Sequence, residues 1–259
     1  MQENCVLYEE LRPAEFVDRL NECPVAYIPL GTLEWHGYHL PLGADGIQSQ
    51  NIFKILANLV GGIVLPMVFL GPDCKEHKNG KDFYGMDVCG FEEDNPQQLI
   101  GSAYYMEENQ FEQLLNTILS NLKRAGFKIV IAHGHGPPTN FFAKRKQFYK
   151  EKIGIDTYTL WDLGSPTEDG IMTDHAAANE TSLVMALRPD LVNINRLEND
   201  TPPVAVWGKD PRLNASIEEG RKLIQLNIKT VSKKIENLVK NISYDKVSVE
   251  YKNVKNLLS

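Results

Sequence analysis

Six apolar residues, Val25–Leu30, run into Gly31-Thr32-Leu33-Glu34-Trp35-His36-Gly37 and then into Pro41-Leu42-Gly43-Ala44-Asp45. An apolar run of this length, closed by glycine, reads as a strand buried on both faces. Such a strand needs partner strands beside it and helices above and below. Its end delivers two carboxylates and an imidazole within twelve residues. In an extended segment Glu34 and His36 point to one side, because side chains alternate with period two. Asp45 returns toward them after the Gly/Pro turn. These three are good ligands for a hard-to-borderline divalent metal. Asp45 also precedes a helical pattern, where a carboxylate serves as an N-cap, and the two roles are compatible.

The rest of the chain supplies the layers that this strand requires. Short apolar runs at 62–68, 128–132 and 156–160 read as further strands. Helical periodicity occupies 14–21, 47–59, 107–125, 140–150, 180–187 and 216–239. In the third of these, Phe111, Leu114, Leu115, Ile118, Leu119 and Leu122 follow the 3.6-residue period, and Gly126 ends it as a left-handed cap. Strand–helix alternation predicts an α/β fold: one domain over 1–259, with a mostly parallel sheet flanked by helices on both faces. A long irregular stretch at 71–101 reads as a lid or an oligomer contact. From about 216 the chain forms a C-terminal helix followed by a tail that is either a strand or an arm.

Two later segments carry chemistry. Ala132-His133-Gly134-His135-Gly136 follows the apolar run 127–131. A ligand-bearing loop at a strand's carboxyl end is where open α/β sheets place their sites. His135 is the candidate ligand there, and His133 a supporting or structural residue. Thr173-Asp174-His175 precedes Asn179-Glu180-Thr181-Ser182, which opens a helix. Glu180 is a candidate ligand, although a carboxylate also suits a helix N-terminus. His175 and Glu180 are five residues apart, about 140° out of line on one helix. That places His175 in the preceding loop, facing substrate or pinned to Asp174. His39 either supports the site or only bonds its own turn. His77, among Lys75, Glu76 and Lys78, reads as a solvated surface residue. Trp161 and Tyr84 are open between pocket wall and core.

These motifs, in this order, resemble the creatininase (creatinine amidohydrolase) family over roughly residues 7–238. The match lies in 28–37, 39–45, Gly134-His135-Gly136, His175 and Glu180-Thr181-Ser182. The resemblance implies a binuclear centre for two divalent ions (zinc, manganese or iron). Glu34 and His135 would hold one ion, His36 and Glu180 the other, and Asp45 would bridge them. Two ions about 3.5–4 Å apart can share and ionise a hydroxide. His175 would carry a proton or hold the oxyanion. The implied reaction is hydrolysis of a small polar amide, cyclic amide or formamide. Alternatives are carbon–carbon cleavage of an inosose-type cyclic polyol ketone at the same centre, or a non-catalytic module of the same fold. The family habit of hexameric rings implies a homo-oligomer. Departures also stand out. His133 replaces the usual Asn, and Pro137 stands where a second Gly is usual. No Glu follows His135 directly, which leaves Glu180 as the ligand. No tryptophan stands just before His175 to wall a creatinine pocket.

Composition narrows the partners. A net charge of −7 in 259 residues argues against nucleic acid and anionic membranes. No apolar run reaches the length of a membrane span, and the polar start of the chain shows no signal segment. Cys5, Cys23, Cys74 and Cys89 lack metal-type spacing and read as free thiols of a reducing cytoplasm. The chain contains no phosphate-binding glycine loop.

Overall fold

The computed structural model describes residues 5–164, 169–198 and 203–248. In chain order the strands are β1 Val25–Leu30, β2 Ile63–Val64, β3 Lys75–Lys78, β4 Lys81–Tyr84, β5 Val88–Cys89, β6 Gln97–Gln98, β7 Ile129–Gly134 and β8 Asp156–Thr159. The helices are α1 Pro13–Glu22, α2 Ala44–Val60, α3 Glu108–Ala125, α4 Gly136–Lys144, α5 Lys146–Phe148, α6 Leu160–Leu163, α7 Ala178–Leu187, α8 Pro211–Asn214 and α9 Ile217–Lys240.

The main sheet has the order β2-β1-β7-β8 and is parallel throughout. β1 is buried along its whole length, as its continuous apolar sequence requires. Period-two alternation divides its residues between two cores. Val25 and Tyr27, with Ile129 and Ile131, pack on Ile52, Phe53 and Leu56 of α2 and on Leu223, Val231 and Ile235 of α9. Ala26, Ile28 and Leu30, with Val130 and Ala132, pack on the α3 stripe Phe111, Leu115, Leu119 and Leu122 and on Phe141 and Phe142 of α4. Each large apolar side chain so buried contributes roughly 1.5–3 kcal/mol. The expected parallel sheet with helices on both faces is therefore present.

The register positions the site. β1 and β7 pair from Val25–Ile129 to Leu30–Gly134, so both strands end level. The loops carrying Glu34 and His36, and the residue His135, leave from the same edge. α2 begins there too, with Gly43 as its N-cap and Asp45 inside the first turn. Asp45 is thus not the capping residue.

Several boundaries differ from expectation for identifiable reasons. The second strand shrinks from 62–68 to two residues. Pro66 has no N–H, and beyond β2 the contact with β1 continues through separate bonds: Leu65 N–H to Tyr27 C=O (2.8 Å), Val68 N–H to Pro29 C=O (3.0 Å) and Gly31 N–H to Val68 C=O (2.8 Å). The fourth helix starts at Gly136, because Pro137 and Pro138 fit a first turn, and it breaks at Arg145. A π-helical turn, Tyr149–Ile153, follows α5. α7 starts two residues earlier than expected.

The stretch 71–101 is not irregular. It holds the antiparallel hairpins β3/β4 and β5/β6. β3 and β4 meet through Asn79-Gly80, both with positive φ (52° and 74°), as a two-residue hairpin turn requires. Charged residues conceal these strands from a hydrophobicity reading. The start of the tail is an arm, not a strand: Asn21 of α1 brackets Val247 with two hydrogen bonds, at 2.8 and 2.7 Å. Residues 1–4 of the polar start and 249–259 of the tail lie outside the described residues.

Candidate metal centre

The edge shared by β1 and β7 gathers all five expected ligand side chains. Each is nearly inaccessible to solvent. Asp45 stands at the centre. Its Oδ1 lies 3.2 Å from His36 Nε2, and its Oδ2 lies 3.0 Å from His135 Nδ1. Glu34 Oε1 is 3.0 Å from His135 Nδ1, and Glu180 Oε2 is 3.8 Å from His36 Nε2. The donors form two groups, Glu34 with His135 and His36 with Glu180, and Asp45 turns one oxygen to each. Ligands about 2.0–2.2 Å from one ion stand about 3–3.5 Å apart, which matches the spacings around Asp45 and His135, while Glu180 stands somewhat wider at 3.8 Å.

The local backbone explains the convergence. The loop after β1 presents Glu34 and His36, and the His36 ring bonds back to the Glu34 carbonyl through Nδ1 at 3.2 Å. Gly134 has φ +147°, and a side chain there would collide with the Leu30 carbonyl. Its freedom lets the chain turn out of β7 so that His135 becomes the N-cap residue of α4. Glu180 lies in the first turn of α7, and its Oε2 accepts the Ala176 N–H at 2.7 Å.

Electrostatics favour a cation here. Among the described residues, no lysine or arginine forms an ion pair with Glu34, Asp45 or Glu180. Burial drives the Glu34 and Glu180 carboxyls upward. Burial opposes the charged forms of His36 and His135 as well, yet the surrounding carboxylates raise both, His36 to about 10. Burial also opposes the Asp45 carboxylate, but the two imidazoles hold it well below its ordinary range. The cluster draws positive charge strongly enough to protonate two buried histidines. Glu34 is the clearest case: beyond the 3.0 Å contact of Oε1 with His135 Nδ1, its carboxylate oxygens make no hydrogen bond among the described residues. An ionised carboxylate buried this way is costly unless a cation meets it. The residues present fit divalent ions.

His175 stands beside this group. Its ring stacks on His36 with centroids 4.5 Å apart, and its Nδ1 lies 3.8 Å from Glu34 Oε1. Its Nε2–H donates to the Trp35 carbonyl at 2.9 Å. A carbonyl can only accept, so Nε2 carries the proton and Nδ1 presents a lone pair to the centre. Burial, and next the charge of His36, push His175 down to about 3. The loop around it is strained, because Met172 and Ala176 both have positive φ (54° and 53°).

Comparison with known proteins agrees with this geometry. A creatininase family model, described as creatinine amidohydrolase, matches residues 9–235. The chain belongs to the creatininase family. A creatinine amidohydrolase of Pseudomonas putida is 24% identical over 210 residues, covering 72% of this chain and 75% of the relative. A crystal structure of creatinine amidohydrolase superposes with a TM-score of 0.70 at 19% identity, covering 92% of this chain and 99% of the other. A creatininase variant described as of Zn-Zn type gives 0.67 at 20% identity, over 90% and 98%. At these identities the structural likeness establishes the fold, and family membership makes the chain an amidohydrolase-type enzyme.

The remaining expected residues of this creatininase-family chain take distinct places. His39 is buried and bonds Thr181 Oγ1 at 2.8 Å, under the site rather than in it. Burial lowers it to about 4. His133 is fully buried, packed edge-on to Trp161 at 5.3 Å, and neither ring nitrogen has a hydrogen bond among the described residues. Asp174 does not pin His175. It accepts the Asn179 and Glu180 N–H groups at 2.8 and 3.0 Å, capping α7. His77 is exposed and pairs with Asp82 at 2.8 Å. Trp161 serves the interior, with its Nε1–H on the Ile171 carbonyl at 3.1 Å. Tyr84 packs on Tyr105.

Two carboxylates of the 71–101 segment also reach this neighbourhood, and the sequence reading missed them. Asp73 Oδ2 lies 2.9 Å from His135 Nε2. Asp87 is fully buried and accepts the Trp35 N–H at 2.7 Å and the Ser102 hydroxyl at 2.5 Å. The segment holds many acidic residues without periodicity, so nothing in the sequence singles out these two. A cavity of about 180 Å³, lined by Cys74, Phe83, Gly85, Met86, Phe91 and Trp207, opens at this rim. A larger one, about 410 Å³, lies behind the start of α7 among Asp174, Asn179 and Lys209, away from the cluster.

Proposed function

We propose that the chain hydrolyses an amide, cyclic amide or formamide bond of a small polar molecule at a centre of two divalent cations. Glu34 and His135 would hold one ion, His36 and Glu180 the other, and Asp45 both. The observation carrying this reading is the split of Asp45, whose two oxygens address two separate imidazoles. The Zn-Zn type of a related creatininase supports the choice of zinc. Manganese and iron suit the same mixed nitrogen and oxygen donors.

Such ions supply an ionised water near neutral pH and positive charge for the developing oxyanion. The chain's own residues do the rest. With the ions bound, Glu34, Asp45 and Glu180 would be ionised despite burial and would fix the geometry from a water-poor edge. His175 keeps Nε2–H on the Trp35 carbonyl, so Nδ1 takes the proton released during attack. The same atom then delivers it to the departing nitrogen. Asp87 accepts the Trp35 N–H, one peptide before that carbonyl, and so helps to hold the backbone on which the imidazole hangs.

The family resemblance extends this reading to a closed homo-oligomer, which light scattering at micromolar concentration tests. The activity is tested by metal analysis of the purified protein, followed by assays on lactams, formamides and inososes. Turnover of an amide in the first two classes, abolished by a chelator and restored by zinc or manganese, supports it. Turnover of inososes alone transfers the same centre to carbon–carbon cleavage. A protein that binds no divalent ion at micromolar concentration refutes the reading.

A further inference from the structure

We propose that Asp73 is a positioning residue for His135: it accepts a hydrogen bond from Nε2–H, aims Nδ1 at Glu34 and Asp45, and strengthens the imidazole as a metal ligand. This inference rests on the metal-centre reading and adds a residue from outside the motifs that suggested it.

The geometry of one ring carries the argument. His135 Nε2 is 2.9 Å from Asp73 Oδ2, while Nδ1 is 3.0 Å from both Glu34 Oε1 and Asp45 Oδ2. An ionised carboxylate only accepts, so the hydrogen bond to Asp73 holds a proton on Nε2. Without an ion Nδ1 also donates, to Glu34 and Asp45; with an ion shared among these carboxylates, Nδ1 would give up its proton and present its lone pair while Nε2 keeps its own. A carboxylate on the far nitrogen of a ligating histidine fixes the tautomer and raises the basicity of the ligand atom. Asp73 could itself come within ligand distance of Glu34 and His135. It bonds the opposite nitrogen of the ring, however, and this places it behind the imidazole.

The surroundings of Asp73 keep it there. Its Oδ1 accepts the Cys74 N–H at 2.6 Å. Tyr104 packs edge-on to the His135 ring with centroids 5.7 Å apart. Gly85 closes over both residues with φ +56°, and a Cβ at this position would sit 2.6 Å from Asp73 Oδ2 and closer still to the Tyr104 hydroxyl. Glycine is required on both counts, for the backbone angle and for the space. The carboxylate side chain is only 6% exposed, which leaves little water to replace the histidine as its partner.

The test uses the full chain and zinc alone. Zinc affinity is measured by competition with a chromophoric chelator for the unaltered protein, Asp73→Ala and Asp73→Asn, with melting of the metal-free forms to establish folding. Asp73→Ala should weaken one zinc site about 10–100-fold while both still fill at saturation. Asp73→Asn keeps an acceptor without the charge, so it should fall between, a partial rescue that a packing role alone would not produce. It also serves as the test if the alanine variant does not fold. Nitrogen-15 shifts of His135 in the zinc form should show Nε2 protonated and Nδ1 bound. Unchanged affinity in both variants overturns the proposal. So does saturation of Asp73→Ala with one zinc fewer, which would make Asp73 a ligand. A lack of zinc binding by the unaltered protein overturns the metal centre itself, and this role with it.

Discussion

His133 on β7 and His135 just past its end are two residues apart, yet they inhabit opposite electrical worlds. His135 stands at the edge of the sheet among Glu34, Asp45 and Asp73, and although burial opposes its charge these carboxylates raise it well above the ordinary histidine range. His133 lies one step, about 6–7 Å, down the chain against Trp161, with no hydrogen bond to its ring among the described residues. Burial pushes it down to about 3, although the charge of Asp45 opposes this. Both rings are buried, so burial does not decide the charge of a histidine here. The identity of the buried neighbours does, because a carboxylate within 3 Å outweighs the lost hydration. The edge layer is built to hold positive charge, and the layer beneath it to exclude charge.

Replacing the centre of the edge layer should break this contrast most severely. Asp45→Ala removes the group that both imidazoles face, and the proposed cations with it. Metal content after dialysis should drop toward zero and turnover to background. Retention of both metals would dissolve the distinction between the layers. His175→Ala comes next. It should keep the metals while turnover falls about 10²–10⁴-fold, equivalent to roughly 3–5 kcal/mol of barrier. Loss of a metal in that variant would move His175 into the ligand set.

Gly134, between the two histidines, is the hinge of the comparison. Gly134→Ala forces an alanine into φ +147° and against the Leu30 carbonyl. The strain alone costs about 1–3 kcal/mol, so the denaturation midpoint should fall and His135 should leave the edge.

The smallest effect concerns His133. A buried imidazole with no partner destabilises by about 1–3 kcal/mol, so His133→Leu should unfold at higher denaturant. The pH dependence has a definite sign. A folded-state value near 3 against an ordinary 6.5 means that the unfolded chain takes up the proton first. The contribution is therefore complete above about pH 6.5 and declines as pH falls toward 3. His39 and His175 have the same sign, at about 4 and about 3. His133→Leu should flatten the acid decline in part, read from denaturant midpoints between pH 7 and 4. An unchanged slope would show that His133 has a polar partner in solution.

Much of this arrangement is legible in the residues. The apolar run of β1 required a doubly covered parallel sheet, and the period of α3 named its buried stripe. Glu34, His36, Asp45, His135 and Glu180 follow strand ends or helix starts, where chain direction reverses and side chains gather at one edge. Their grouping could be anticipated because short-range geometry carries most of it. Asp73 and Asp87 could not be found this way. They belong to a charged segment whose strands have no hydrophobic alternation, and many acidic residues there offer the same chemistry.

What the sequence by itself determined was the layering and the stock of ligands, since both depend on periodicities of two and 3.6 residues. The tertiary structure decided which of two neighbouring histidines gains charge. It decided which nitrogen of His175 carries its proton, through a carbonyl 140 residues away. It also decided which carboxylate stands behind His135, from 62 residues away. These outcomes turn on contacts near 3 Å between segments remote in sequence. At such distances a shift of one ångström makes or breaks a hydrogen bond, and only the packed chain fixes positions that closely.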